Sequence, residues 1–231
     1  MFFKISTFIL MGLLGACNSG PSSATSARTS GGAAEQDKSS KENKVTDRDS
    51  SGDIADDPGS ELVGVWETEC LSFDTGSFIG SMEVTDKQAV IAQRTFSDSQ
   101  CAQLSHSVFS TNSYTLGELA PYTNVATARE FNLILLKTEA LVESQVNADA
   151  LNTQAAWGLT NWQAGVRQDV SGRRLDPTAN PEKSPGEPFY QLIAVQDRYM
   201  VLGNTDTGDG LSPVTRPREL ATGAHWRKIK P

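Results

Sequence analysis

Three cysteines and two histidines hold most of the nucleophilic and metal-binding capacity of this chain: Cys17, Cys70, Cys101, His106 and His225. A structural zinc or copper site needs several thiolates or imidazoles at ligand spacing, and neither histidine stands at such a spacing from the cysteines. Nucleophilic catalysis needs a base within hydrogen-bond reach of the nucleophile, and no Gly-x-Ser-x-Gly elbow is present. His106 falls in the alternating run Leu104-Ser105-His106-Ser107-Val108, as a polar-face or barrel-lining residue. His225, beside Trp226 near the C-terminus, reads as surface. No spacing singles out a carboxylate pair for acid–base work. Asn204-Thr205-Asp206-Thr207-Gly208-Asp209-Gly210 invites a calcium reading, but Gly208 stands where a third ligand belongs, so a solvated turn is the better account. The expectation is a protein that is not an enzyme, with no catalytic residue, no metal and no cofactor.

Cys17 has its own context. Lys4 precedes an apolar run over residues 5–14, and Leu14-Gly15-Ala16-Cys17 follows. A basic start, a short apolar run and small residues before a cut describe a secretory signal. The run is shorter than the roughly 20 residues of a membrane span, and the following Asn18-Ser19-Gly20-Pro21 is no stop-transfer pattern. The segment resembles the lipobox signals of bacterial lipoproteins. That resemblance implies a signal peptide over 1–16 and a mature N-terminal Cys17 bearing thioether-linked diacylglycerol and an amide-linked acyl chain. Several chains anchor stably, because each buried methylene contributes about 0.8 kcal/mol and one chain alone is marginal. With Asn18 rather than Asp at the second mature position, the family rule implies a lipid-anchored place on the outer membrane, at the periplasmic face or the cell surface.

From residue 17 to 60 the chain is Ser, Gly, Ala and mixed charge without an aromatic residue, and Val45 and Ile54 are its only aliphatics larger than Ala. Such a segment cannot offset its chain entropy by burial, so it reads as a disordered tether with an end-to-end distance of about 35 Å. Residues 61–231 hold all four Trp and all four Tyr and have the length of one domain. The excess of 28 acidic over 20 basic residues is spread without long blocks, which favours solubility and disfavours nucleic acid as a partner. In an oxidising compartment Cys70 and Cys101 are expected to form a disulfide. Closing that loop is worth about 3.5 kcal/mol in the chain-entropy model.

Most of the domain reads as strand: 62–70, 77–84, 89–96, 102–109, 113–119, 130–141, 162–170, 189–195, 198–202 and 224–229. The segment 130–141 either ends as a strand or runs on into a helix. Residues 146–157 space Val146, Ala150, Leu151 and Ala155-Ala156 helically, with Gly158 as a stop. Residues 177–188 and 203–217 are Pro- or Gly-rich loops. In the first strand Val63 and Val65 would share one face with the Trp66 ring, with Thr68 toward water.

Gly64-Val65-Trp66 opens the domain and Arg227 lies on its last strand. This pair resembles the lipocalin and wider calycin pattern, in which an indole crosses the closed end of a small barrel beneath a basic residue from the final strand. The resemblance implies a mainly β, small antiparallel lipocalin-like barrel with one inserted helix, closed by Trp66 and Arg227. A cation over an indole face is the physical basis. An open β-sandwich with Trp66 as a plain core residue is the alternative. Thr205-Asp206 departs from the family's late Thr-Asp motif, since no aromatic residue follows. The implied function is non-catalytic binding of a small apolar or amphipathic ligand; an envelope interaction scaffold or inhibitor is the alternative. The sequence names no ligand-binding residue, and the discriminator is whether Phe96, Phe109, Phe131, Leu133 and Val166 line a void or pack together.

Overall fold

The computed structural model describes residues 59–231 apart from Tyr122, Asn124, Ala126, Asp197 and the side chain of Ala224. Residues 1–58, and with them the expected signal peptide over 1–16, the expected lipidation site Cys17 and nearly all of the expected 17–60 linker, lie outside the described residues.

Among the described residues, ten strands and one α-helix follow in chain order: β1 (Gly64–Thr68), β2 (Leu71–Phe73), β3 (Gly76–Val84), β4 (Gln88–Phe96), β5 (Leu104–Leu119), β6 (Arg129–Leu141), α1 (Gln145–Gln154), β7 (Arg167–Asp169), β8 (Pro188–Gln196), β9 (Tyr199–Gly203) and β10 (Leu220–Lys230). Eight of them close an antiparallel barrel in the order β1-β10-β9-β8-β6-β5-β4-β3, with β1 pairing β3 to complete the ring. Closure leaves few free edges on which other strands could add. β2 extends β3, and β7 adds to β6.

Strand parity puts Gly64, Trp66 and Thr68 inward, with Gly64 and Trp66 opposite Val84 and Met82 of β3. The expected assignment is thus reversed: Val63 and Val65 look outward, and Thr68 faces in. The reason is a hydrogen bond, since Thr68 Oγ1 accepts the Gly80 N–H at 2.9 Å and so meets its polar need inside the wall. The axis of the barrel is filled by one cluster that includes Leu62, Trp66, Phe78, Met82, Phe131, Leu133, Ile193, Met200 and Trp226. Trp66 is 0% and Trp226 1% exposed. Of the five residues expected to decide between void and core, Phe131 and Leu133 belong to this cluster, whereas Phe96 is buried elsewhere. Phe109 lies outside the barrel under the Arg167 guanidinium, 4.0 Å from its ring, and Val166 is exposed.

β5 runs unbroken where two strands are expected. Thr111-Asn112 reads as a turn, but Asn112 is buried and its Nδ2 donates to the Ala89 and Ser110 carbonyls at 3.3 and 3.0 Å. The irregularity falls instead on β6, whose partner jumps from Lys137 to Leu135, leaving Leu136 as the extra residue of a bulge. β6 stays a strand to Leu141. Past the bulge the β5–β6 hairpin overshoots the barrel, and a second core covers it.

That cap consists of α1, the chain to Ala179, and Ala140, Val142 and Val108 of the hairpin. Ser144 caps α1 by accepting the Asn147 N–H at 3.1 Å. The helix buries Ala148 and Leu151, while Val146 points to solvent, so the apolar face is one step off the expected one. It ends at Ala155 rather than Gly158, in the left-handed region. Only Arg167–Asp169 of the expected 162–170 strand pairs, because Trp162 is drawn into the cap instead.

Candidate functional site

The wall of the barrel splits along part of its height. β1 lies between β10 and β3 as far as Thr68, which faces Trp226. Beyond Glu69-Cys70 the chain continues as β2, which pairs with β3 alone. On the other side β10 has no strand beyond Trp226, and its register with β9 jumps from Leu220–Gly203 to His225–Val201. The ladder therefore skips residues 221–224, where Ala221 is buried and Thr222 and Gly223 are exposed. A cavity of about 270 Å³ occupies the split, lined by Thr68, Glu69 and Leu71 on one side and by Tyr199, Gly223, His225 and Arg227 on the other.

The β2 side is held by a compact set of covalent and polar contacts. Cys70 and Cys101 form the expected disulfide, with Cα atoms 6.0 Å apart, tying β2 to the β4–β5 loop. Ser72 Oγ donates to the Ser99 carbonyl at 2.9 Å, and Ser77 Oγ accepts the Cys101 N–H at 3.1 Å while donating to the Asp98 carbonyl at 2.6 Å. Those bonds keep β2 on the β3 side and the split open. On the facing wall Tyr199 is 49% exposed, and its ring lies 6.1 Å from that of His225. Arg227 stands opposite Glu67 in the ladder, but the Glu67 carboxylate is taken by Arg94. The Arg227 guanidinium makes no hydrogen bond or ion pair with a described residue.

Arg227 is therefore not the cation over Trp66. Trp226 points inward, so its neighbour Arg227 points outward and Lys228 inward again. Lys228 Nζ lies 5.1 Å from the Trp66 ring and donates to the Glu61 carbonyl at 3.2 Å. Trp66 Nε1 donates to the Leu62 carbonyl at 2.8 Å, so the end of the barrel is sealed by the entering chain and a lysine. Gly64, at φ 135°, allows the approach: a Cβ there would lie 2.6 Å from Lys228 Cε and from the Lys230 carbonyl oxygen. The alternation Trp226/Lys228 was the signal that would have named the right cation.

The other place where chemistry-bearing groups gather is the cap. Trp157 is buried with φ 52° and ψ 24°, next to Ala155 at φ 48°. A bulky residue in the left-handed region is strained and persists only where its surroundings over-determine it. Here its N–H donates to the Leu175 carbonyl at 3.1 Å and its Nε1 to Glu182 Oε1 at 3.2 Å. Its ring meets that of His106 edge-on, centroids 5.8 Å apart, and that of Trp162 at 5.4 Å. Burial pushes the Glu182 carboxyl up to about 7, partly opposed by the Trp157 hydrogen bond. The same burial pushes His106 down to about 4. The sequence reading missed Glu182, which lies in a Pro-rich stretch with no periodicity to mark a buried position. His225, by contrast, is exposed on the rim of the split, as a surface reading implies.

Among the described residues no three His, Cys, Asp or Glu side chains converge on a common point. The 204–210 segment is a 3-10 turn over Thr205–Thr207, with Asn204 Oδ1 accepting the Asp206 N–H at 3.0 Å. No protein-family model matches this chain, and no curated protein matches it in sequence.

Proposed function

We propose that the chain is a membrane-tethered, non-catalytic interaction module of the bacterial envelope, a lipocalin-like barrel that works through the split in its wall and not through its axis. The observation that carries this reading is the contrast between an axis filled by Trp66, Met82, Phe131, Met200 and Trp226 and a cavity of about 270 Å³ at the split. A lipocalin-like reading draws support from the eight-stranded closed barrel and from the indole and cation at its sealed end. The anchor rests on the Leu14-Gly15-Ala16-Cys17 pattern; radiolabelled palmitate on a Cys17→Ala chain would refute it.

A small amphipathic ligand is the second reading. The specific observation in its favour is the mixed lining of the split, Leu71 and Tyr199 beside Thr68, Arg227 and Glu69. One experiment separates the two: a photoreactive amino acid replacing Tyr199 in the full chain, irradiated in its own cells and read by mass spectrometry. A crosslink to protein supports the interaction reading. A crosslink to a small molecule supports the ligand reading in its place. An uncrosslinked chain, with the same probe reacting normally when free in the periplasm, removes both.

A further inference from the structure

A β-barrel wall that opens along one seam exposes backbone groups that closure would otherwise satisfy. Here the seam has two edges. One is β2, paired with β3 only, and the other is β10 over residues 220–225, unpaired toward β1. At about 3.3 Å per residue the β10 edge is about 20 Å long, enough for five or six residues of an added strand. Strand addition obtains affinity from main-chain hydrogen bonds and specificity from alternate side chains. Both parts are present in the seam. Thr222 and Gly223 are exposed on the β10 edge and carry no bulky side chain, while the walls offer side-chain recognition.

The charges decide what kind of segment fits. Arg227 has no described partner because Arg94 occupies the carboxylate of Glu67, its cross-strand neighbour. His225 adds a second potential donor on the same wall, and Glu69 is the one acidic residue of the lining, on the opposite wall. An apolar or aromatic side chain fits between Leu71 and the Tyr199–His225 pair. We infer that the split between β2 and β10 is a strand-accepting site, in which an extended segment of a partner protein pairs with residues 220–225 and sets an acidic side chain against Arg227. The inference rests on the interaction reading above and narrows it to a partner class. A guanidinium–carboxylate pair is geometrically specific and screened by salt, so such binding weakens as salt is added.

The test uses the full chain as a Cys17→Ala variant, which keeps it off membranes, and a displayed library of random twelve-residue peptides as the probe. Selected peptides are synthesised and mapped by hydrogen exchange. Expected are peptides with an acidic residue that slow exchange of the amides over residues 220–225. N-methylation of alternate peptide amides should abolish binding while leaving every side chain in place. Arg227→Glu, a change at an exposed position outside the core, should weaken binding by about ten-fold or more; Thr222→Pro should abolish it. Because Thr222→Pro alters backbone, its fold is checked by the unchanged exchange of β3 and β4 amides, and the Arg227→Glu arm stands without it. Peptides that protect another surface overturn the strand-accepting site and leave the interaction reading standing. A library that yields no binder overturns the inference as well, and the crosslink at Tyr199 then decides the broader reading by itself.

Discussion

The barrel core and the cap over the β5–β6 overshoot each bury two of the four tryptophans, and they do so by different means. In the barrel, regular ladders satisfy the backbone, and the Trp66 N–H finds the Leu62 carbonyl one turn back along the chain. In the cap the chain is irregular, so side chains supply the missing partners: Asn152 Oδ1 accepts the Trp162 N–H at 2.6 Å, and Glu182 accepts from Trp157. A core built from loops must bury polar and ionisable groups to meet its own hydrogen-bond needs. The price is a dependence on pH and on strained backbone that a ladder-built core escapes.

The largest expected effect tests the barrel side of that contrast. Trp66→Ala removes one of the two fully buried indoles of the barrel cluster and leaves a cavity, at a cost of about 3–5 kcal/mol. Urea melts of the full chain at several pH values should show the same loss throughout, since the buried barrel cluster contains no carboxylate, imidazole or amine. A loss that varies with pH would mean that the two cores do not divide in this way.

The cap should behave otherwise, and the sign follows from the two shifted groups. Glu182 is raised from 4.5 to about 7, so its burial costs nothing below pH 4.5 and stability falls as pH rises from 4.5 toward 7. His106 is lowered from 6.5 to about 4, so its burial costs nothing above pH 6.5 and stability falls as pH drops from 6.5 toward 4. Each full shift corresponds to about 3 kcal/mol. The two slopes oppose one another, and the parent should be nearly flat in this contribution, with a shallow optimum between pH 5 and 6. Glu182→Gln keeps the acceptor for Trp157 Nε1 and unmasks a stability that rises with pH; His106→Gln unmasks one that falls. The charged neighbours are Arg173, whose Nη1 approaches the Trp157 carbonyl at 3.5 Å, and Arg174, which donates to Ala179. Neither pairs with Glu182, so they leave the signs intact. If both single variants track the parent across pH 4–8, the burial argument for the cap is wrong.

Much of the barrel was legible because alternation is a local signal. Strands β3, β4, β8 and β9 lie within a residue or two of the periodic runs, and the parity of two cysteines, with the expectation of export, pointed to the Cys70–Cys101 bond. What was hidden depends on pairing. The bulge at Leu136 lets β5 continue through a dipeptide that reads as a turn, and the bend at Glu69-Cys70 opens the seam; neither has a marker in the sequence of one strand taken alone. The residues of the split come from four strands and one bend, so only the register assembles them. Trp157 in the left-handed region is the opposite case, a strained position that propensity argues against and that Glu182, Leu175 and His106 hold together.

The smallest expected effect sharpens the barrel side, at its sealed end. Lys228 and Arg227 are adjacent cations on β10, and strand parity gives them opposite faces. Lys228→Ala removes an ammonium held 5.1 Å from the Trp66 ring and its hydrogen bond to the Glu61 carbonyl, which should cost about 1 kcal/mol. Arg227→Ala removes an exposed, unpartnered side chain and should change stability by less than about 0.5 kcal/mol. Single replacements alone do not prove contact, because Lys228 also packs against Gly64. A double-mutant cycle does: Trp66→Leu with Lys228→Ala should couple by about 0.5 kcal/mol or more, and Trp66→Leu with Arg227→Ala should be additive. Leu is a better partner than Ala, because it removes the aromatic face yet leaves an apolar side chain in the core. Coupling that follows Arg227 instead would move the last strand by one residue, turning Trp226 outward and placing the guanidinium inside. The seam would then lose the unpaired cation on which its acidic-peptide specificity rests, so the same small measurement bears on both ends of the barrel.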